Sequence, residues 1–197
     1  NDCFYKTLIV NNEMINKNVL SAPMRRAKRE IIDDLLLEED LAPSMGYGKL
    51  STNHTFVRSL LELNGILVEN AIVIPDNDPD DQKLRNAHYV MMAIRKFVHK
   101  AMVKEQNLGD VYHLLKSKPY GLRDGYIDVL LATMLRPHRH QVYIRLKGID
   151  QDLNGVLFER MGKYPNQYTI EIDAWSKDKE DYISNLEKTY LSYINVN

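Results

Sequence analysis

The chain has 197 residues, of which 44% are hydrophobic and 27% are charged, and its 26 basic and 27 acidic side chains give a formal net charge of −1. This composition is typical of a globular protein with one domain or two small ones, and the balanced charge excludes a global electrostatic attraction to nucleic acid or to an anionic membrane. The single cysteine, Cys3, excludes an internal disulfide and any zinc site built on several cysteines. It also agrees with a reducing compartment.

The N-terminal sequence bears on where the protein resides and on whether it is whole. No run of eighteen apolar residues and no signal-peptide pattern occurs, so we expect a cytoplasmic protein without a membrane partner. The first residue is Asn1 instead of Met, as expected either of a piece of a larger protein or of a chain that has lost its initiator Met.

The first half of the chain predicts three helices and one short strand. A helix over about 22–40 follows Ser21, and a second helix covers about 53–63. The segment 66–74, rich in Ile and Val, predicts a strand, and a long helix follows over about 81–105. The apolar face of the long helix is formed by Leu84, Ala87, Met91, Ile94, Val98 and Ala101.

The second half begins with a helix-turn-helix rhythm. Two short helices, at about 108–117 and 124–136, are joined by a turn that contains Pro119 and Gly121. The remaining predicted elements are a strand at 141–146, a helix at 154–163, a strand at 167–172 and a final helix at 177–194.

The order of these elements predicts a mainly α chain with a small β component, of the α+β class. We expect a helical subdomain over 1–106 and a winged-helix-like subdomain over 107–197 that ends in the C-terminal helix.

Two segments imitate ligand-binding motifs without completing them. The sequence GYGKLS at 46–51 lacks the first Gly and the Ser or Thr of a phosphate-binding loop and follows a helix instead of a strand. The alternating acids of 76–80 resemble a calcium loop, but Asp81 and Ala87 stand where that loop needs Gly and a bidentate Glu. We therefore interpret the first segment as a loop and the second as a solvated loop that caps the following helix.

The remaining catalytic and metal signatures are also incomplete. His138 and His140 could both face one metal ion, but no third ligand is evident. The sequence contains neither a Gly-x-Ser-x-Gly elbow nor a His-Glu-x-x-His helix. We therefore predict that the chain is not an enzyme and has no cofactor and no metal site. An unrecognised arrangement of Asp, Glu and His remains an alternative that only a structure can test.

Two basic clusters are candidates for contacts with nucleic acid. Four cations of the first helix, at 25–29, are followed by six acids within 30–40, which is typical of a solvated mixed face. The second cluster contains no acid between residues 134 and 147. It predicts phosphate contacts at the end of the second short helix and on the next strand. The candidate nucleic-acid-binding residues are Arg123, Arg136, Arg139, Arg145 and Lys147.

The helix that would enter a DNA groove has the wrong composition for reading bases. The run GYIDVLLATML at 125–135 offers few polar side chains, so this helix is predicted to be buried. A structural or protein-docking unit is therefore favoured over a base-reading one.

Four segments together carry a resemblance to a known group of proteins. They are NNEMIN at 11–16, SAPMRRAKREIIDDLL at 21–36, KPYGLRDGYIDVLLATML at 118–135 and LFERMGKYPNQYTIEI at 157–172. In order and spacing they resemble the region downstream of the P-loop core in large bacterial phage-defence ATPases, of the bacteriophage-exclusion (BREX) type and related ATP-binding proteins. No Walker motif is present, so no ATP-binding residue is carried over to this chain.

The resemblance implies a non-catalytic accessory domain of an antiviral-defence ATPase. Such a domain would contact other domains or subunits of the ATPase complex, with DNA as a second candidate partner. The alternative is a free-standing winged-helix protein that binds DNA through the five basic residues named above.

Overall fold

A computed structural model describes residues 3–78 and 80–173 of the chain. Within these residues the α-helices are Ala22–Leu37 (α1), Thr52–Leu60 (α2), Gln82–Val103 (α3), Leu108–Lys116 (α4), Asp124–Leu135 (α5) and Gly155–Lys163 (α6). The strands are Leu67–Val68 (β1), Ala71–Ile72 (β2), Gln106–Asn107 (β3), Val142–Leu146 (β4), Ile149–Asp150 (β5) and Tyr168–Ile172 (β6). The α+β class is confirmed. The helix predicted at 177–194 lies outside the described residues.

The first helix begins and ends for reasons that can be read locally. Ser21 has the extended backbone of an N-cap, and Pro23 occupies the first turn, where a missing N–H costs nothing. The helix ends at Leu37, three residues earlier than predicted, because the buried apolar stripe ends at Leu36. The acids that follow, 38–40, are exposed.

The predicted strand at 66–74 is wrong in one respect, because this segment folds back on itself. Val68 of β1 pairs with Ala71 of β2 in an antiparallel hairpin. The two residues between them form the turn, and Glu69 has a left-handed φ of 57°. A two-residue turn with positive φ is the tight connection that such hairpins require.

A second sheet is built from strands of the C-terminal half and the strand that follows α3. Its order is β3-β6-β4-β5, and each neighbouring pair is antiparallel. Tyr168, Ile170 and Ile172 of β6 are buried and alternate with less buried residues, so one face of the sheet packs inward. This inner face lies against α3 and α4.

The helix α5 lies at the centre of the protein. It contacts α1, α3, α4 and α6, and ten of its twelve residues are buried. One hydrophobic core includes residues on both sides of position 106, and β3 itself spans that position. The division into subdomains 1–106 and 107–197 stays a prediction. Among the described helices, none is both long and apolar enough to cross a bilayer.

Candidate functional site

The predicted DNA-contacting arginines begin with Arg136, which is buried. Its Nη1 donates to the carbonyl oxygen of Leu35 at 2.6 Å, and its Nη2 donates to that of Glu39 at 2.8 Å. Carbonyls at the C-terminus of a helix have no intrahelical partner, so this guanidinium satisfies the end of α1. Because its donors are used inside the protein, Arg136 does not face a phosphate.

Arg139 lies beside Arg136 and pairs with the same segment. Its Nη2 is 2.8 Å from Oε2 of Glu39. This hydrogen bond, together with the positive charge, holds the pKa of the Glu39 carboxyl below its usual value. Of the five predicted contact residues, Arg136 and Arg139 are brought together, and they tie α5 and the turn after it to the end of α1.

Arg145, on β4, is surrounded by acids. Its Nε is 2.8 Å from Asp150, and its Nη1 is 2.6 Å from Glu171 and 3.1 Å from Glu105. These hydrogen bonds, led by that to Glu171, raise the pKa of Arg145. One guanidinium facing three carboxylates leaves a local excess of negative charge, which repels a phosphate.

The last two predicted contacts, Arg123 and Lys147, have no carboxylate within ion-pair distance in the described part of the chain. Arg123 is the N-cap of α5, and Lys147 lies in the tight turn between β4 and β5. Arg123 and Arg136 flank opposite ends of a twelve-residue helix, about 20 Å apart along its axis. The five residues therefore do not form one phosphate-binding surface.

A fully buried carboxylate lies within α5, at Asp128. Its side chain is 0% exposed, and it accepts hydrogen bonds from the ammonium of Lys28 on α1 and from the hydroxyl of Tyr112 on α4. Gly162 of α6 packs against the same carboxylate, where a Cβ would lie 2.8 Å from Oδ1. Residues of four helices thus meet at one buried carboxylate, and we call Lys28, Tyr112 and Asp128 the buried triad.

Burial and charge act in opposite directions on the buried triad. Complete removal from water raises the pKa of Asp128, although the positive charge of Lys28 and two hydrogen bonds favour its ionised form. Burial, together with the charge of Asp128, raises the pKa of Tyr112 well above its usual value, so this hydroxyl stays protonated and donates.

A cavity of about 640 Å³ reaches the buried triad from the surface. Its wall includes all three triad residues, and residues of α1, α4, α5 and α6 line it together with the loops before α1 and after α6. A volume of this size is typical of sites that bind small ligands. A cavity that ends at buried charged groups is the arrangement in which a polar ligand can be held and oriented.

Sequence reasoning missed this site. The interpretation of the first basic cluster as a solvated face is wrong for Lys28, since its side chain is 8% exposed. The available signal was Asp128, a lone acid between Ile127 and Val129 in an apolar run. An acid at the centre of a buried helix needs a buried partner.

The described part of the chain offers no set of metal ligands. Within residues 3–78 and 80–173, no group of three His, Cys, Asp or Glu side chains could hold one ion. Comparison with protein-family models, with curated proteins and with solved structures finds no match to this chain.

Proposed function

We propose that this chain is a non-catalytic accessory domain of a larger P-loop ATPase of the phage-defence type, which contacts protein and does not read DNA bases. The parent class comes from the resemblance of the four segments quoted above, and a cytoplasmic location, expected from the sequence on other grounds, is part of the proposal. The proposal that the chain does not read DNA bases rests on the burial of α5, because a recognition helix needs an exposed polar face to reach base edges.

The topology supports this proposal in a specific way. Helices α3, α4 and α5 with strands β3, β4 and β6 follow the order expected of a winged-helix unit, except that β5 and α6 are inserted between β4 and β6. In the sheet, β3 and β4 lie on either side of β6. In this chain α5, the second helix of the helix-turn-helix pair, is covered by α1 and α6 and belongs to the hydrophobic core. The unit therefore suits a scaffold that presents its outer surface to another domain.

The charge distribution supports the same conclusion. Three of the five basic residues predicted to contact phosphates make hydrogen bonds within the protein, to helix-end carbonyls or to carboxylates. Such groups bind DNA only if these internal contacts are broken, which costs much of the energy that a phosphate contact would supply.

The proposal is tested by binding the chain to two unrelated labelled duplexes of equal length and by assaying it for ATP hydrolysis. We expect the two duplex affinities to agree within about threefold, because base readout normally gives a preference of about 10³ or more. We expect no hydrolysis above a buffer control. A thousandfold preference for one duplex would refute the statement that the chain does not read DNA bases, and hydrolysis removed by a point mutation in this chain would refute its non-catalytic character.

A further inference from the structure

The mouth of the cavity carries an excess of positive charge. Glu159 of α6 lies 3.9 Å from Nε of Arg25, 3.6 Å from Nη1 of Arg29 and 3.4 Å from Nζ of Lys163. One carboxylate is thus shared by three cations. Arg25, Glu159 and Lys163 line the cavity and Arg29 does not, so the lining residues of this group have one positive charge in excess. We call Arg25, Glu159 and Lys163 the mouth cluster. The local excess contrasts with the net charge of −1 of the whole chain.

The other charged groups of the cavity balance one another. Lys116 is 2.9 Å from Asp124, and Lys28 contacts Asp128. Each of these pairs is neutral when ionised, so they do not cancel the excess charge of the mouth cluster. A cavity with low-dielectric walls concentrates such a field and attracts anions.

The floor of the cavity offers hydrogen-bond donors as well as charge. An ammonium has three N–H donors, and Asp128 is the one acceptor of Lys28 among the described residues. The remaining donors can bind an oxygen atom in the cavity. Arg25 and Lys28 are three residues apart on α1 and therefore lie on the same side of the helix, so one anion can contact both.

We propose that this cavity binds a small ligand that carries a phosphate monoester. One phosphate oxygen accepts from Lys28, and the others lie against Arg25 and Lys163 of the mouth cluster. A phosphate fills only part of about 640 Å³, and the remaining wall, which includes Asn18, His113 and Tyr164, suits a polar organic group. This site is separate from the protein-contact role proposed above.

The test uses the full chain with inorganic phosphate and phenyl phosphate as probes, titrated by calorimetry against a chloride blank of equal ionic strength. We expect saturable binding of both probes that is stronger for phenyl phosphate. We also expect binding to strengthen between pH 5.5 and 7.5, since the second ionisation of a phosphate monoester has a pKa of about 6. Equal heats with phosphate and with chloride would overturn the proposal.

Three variants decide whether the mouth cluster is responsible. Lys163→Gln removes an exposed cation and should weaken phosphate binding about tenfold, as expected of a charge-assisted hydrogen bond. Glu159→Gln removes the competing carboxylate and should strengthen it. Lys49→Gln changes an exposed cation outside the cavity and should leave affinity unchanged. Equal effects of Lys163→Gln and Lys49→Gln, or weaker binding in Glu159→Gln, would refute the site.

A further experiment distinguishes a small phosphorylated ligand from the phosphorylated end of a nucleic acid. A 5′-phosphorylated oligonucleotide is added to the chain, and phenyl phosphate is titrated against it. We expect the oligonucleotide to bind no more tightly than its unphosphorylated form and not to exclude phenyl phosphate. Preferential binding of the phosphorylated end, with exclusion of phenyl phosphate, would overturn the assignment to a small ligand.

Discussion

The ion pair between Lys28 and Asp128 allows a quantitative test of the core. Lys28→Met removes the ammonium and leaves a carboxylate that is 0% exposed. Breaking a buried pair in this way costs about 3–5 kcal/mol of the free energy of unfolding. For a chain of this length, that corresponds to a fall in Tm of about 6–20 °C.

The double variant Lys28→Met/Asp128→Asn separates the pair from its surroundings. The amide introduced at position 128 keeps an oxygen that accepts from the Tyr112 hydroxyl, while both charges are gone. The double variant should therefore be more stable than Lys28→Met alone, because no uncompensated charge remains buried. Urea unfolding followed by circular dichroism measures all three proteins, and Lys49→Met, an exposed control, should change stability by less than about 0.5 kcal/mol.

The pH dependence of Lys28→Met has a defined sign. Burial already raises the pKa of Asp128, and loss of the neighbouring cation raises it further. A carboxyl whose pKa is higher in the folded state than in the unfolded state stabilises the fold while it is protonated. This stabilisation is fully present below the unfolded pKa of about 3.9, and it is lost as the pH rises through the folded pKa. Lys28→Met should therefore lose less stability at pH 5 than at pH 8. If Lys28→Met lowers the free energy of unfolding by less than about 1 kcal/mol, or by an amount that grows as the pH falls, the buried ion pair is refuted.

Three further predictions concern groups around the site, each measured as a shift of the urea midpoint. Arg136→Met should lower the free energy of unfolding by about 1.5–3 kcal/mol, because charge-assisted hydrogen bonds are lost, whereas Arg139→Ala should lower it by less than about 1 kcal/mol. Equal losses in the two variants would contradict this. Gly155→Ala should cost about 1–3 kcal/mol, because its Cβ would lie 2.4 Å from a carbonyl oxygen of α1, and a neutral effect would show that this contact is absent. Arg145→Ala should destabilise most at neutral pH and least near pH 3. Hydrogen bonds from Thr169 and then from Arg145 lower the folded pKa of Glu105, and the share due to Arg145 stabilises the fold above the unfolded pKa of about 4.3 and is lost as the pH falls. A loss that is constant with pH would contradict it.

The helices and the longer strands β4 and β6 were largely predictable, because periodicity reports burial directly. The two-residue strands β3 and β5 and the order of the sheet were not predicted. The stripe of α3 and the alternation of β6 identify both elements from sequence, and the apolar run of α5 predicted its burial correctly. The hairpin of β1 and β2 was missed since its short strands have no alternation long enough to show a turn at Glu69.

The candidate site was much less predictable, because charge in a sequence does not report its partners. Arg136 and Arg145 both belong to an acid-free basic segment, yet Arg136 binds carbonyls at the end of α1 and Arg145 binds carboxylates on three other segments. Lys28 and Asp128 are a hundred residues apart, and only the packing of α1 on α5 brings them together.

The salt dependence of DNA binding shows whether the basic segment at 134–147 serves the fold or contacts DNA. Anisotropy of one labelled duplex is measured at several salt concentrations for the native chain and for Arg139→Ala/Arg145→Ala. Each phosphate contact contributes about −0.9 to the log–log slope. We expect the two slopes to agree, because both arginines are held by carboxylates. A slope that becomes shallower by about 1.8 in the double variant would show that both residues contact phosphates, and the structural role of the basic segment would then be refuted.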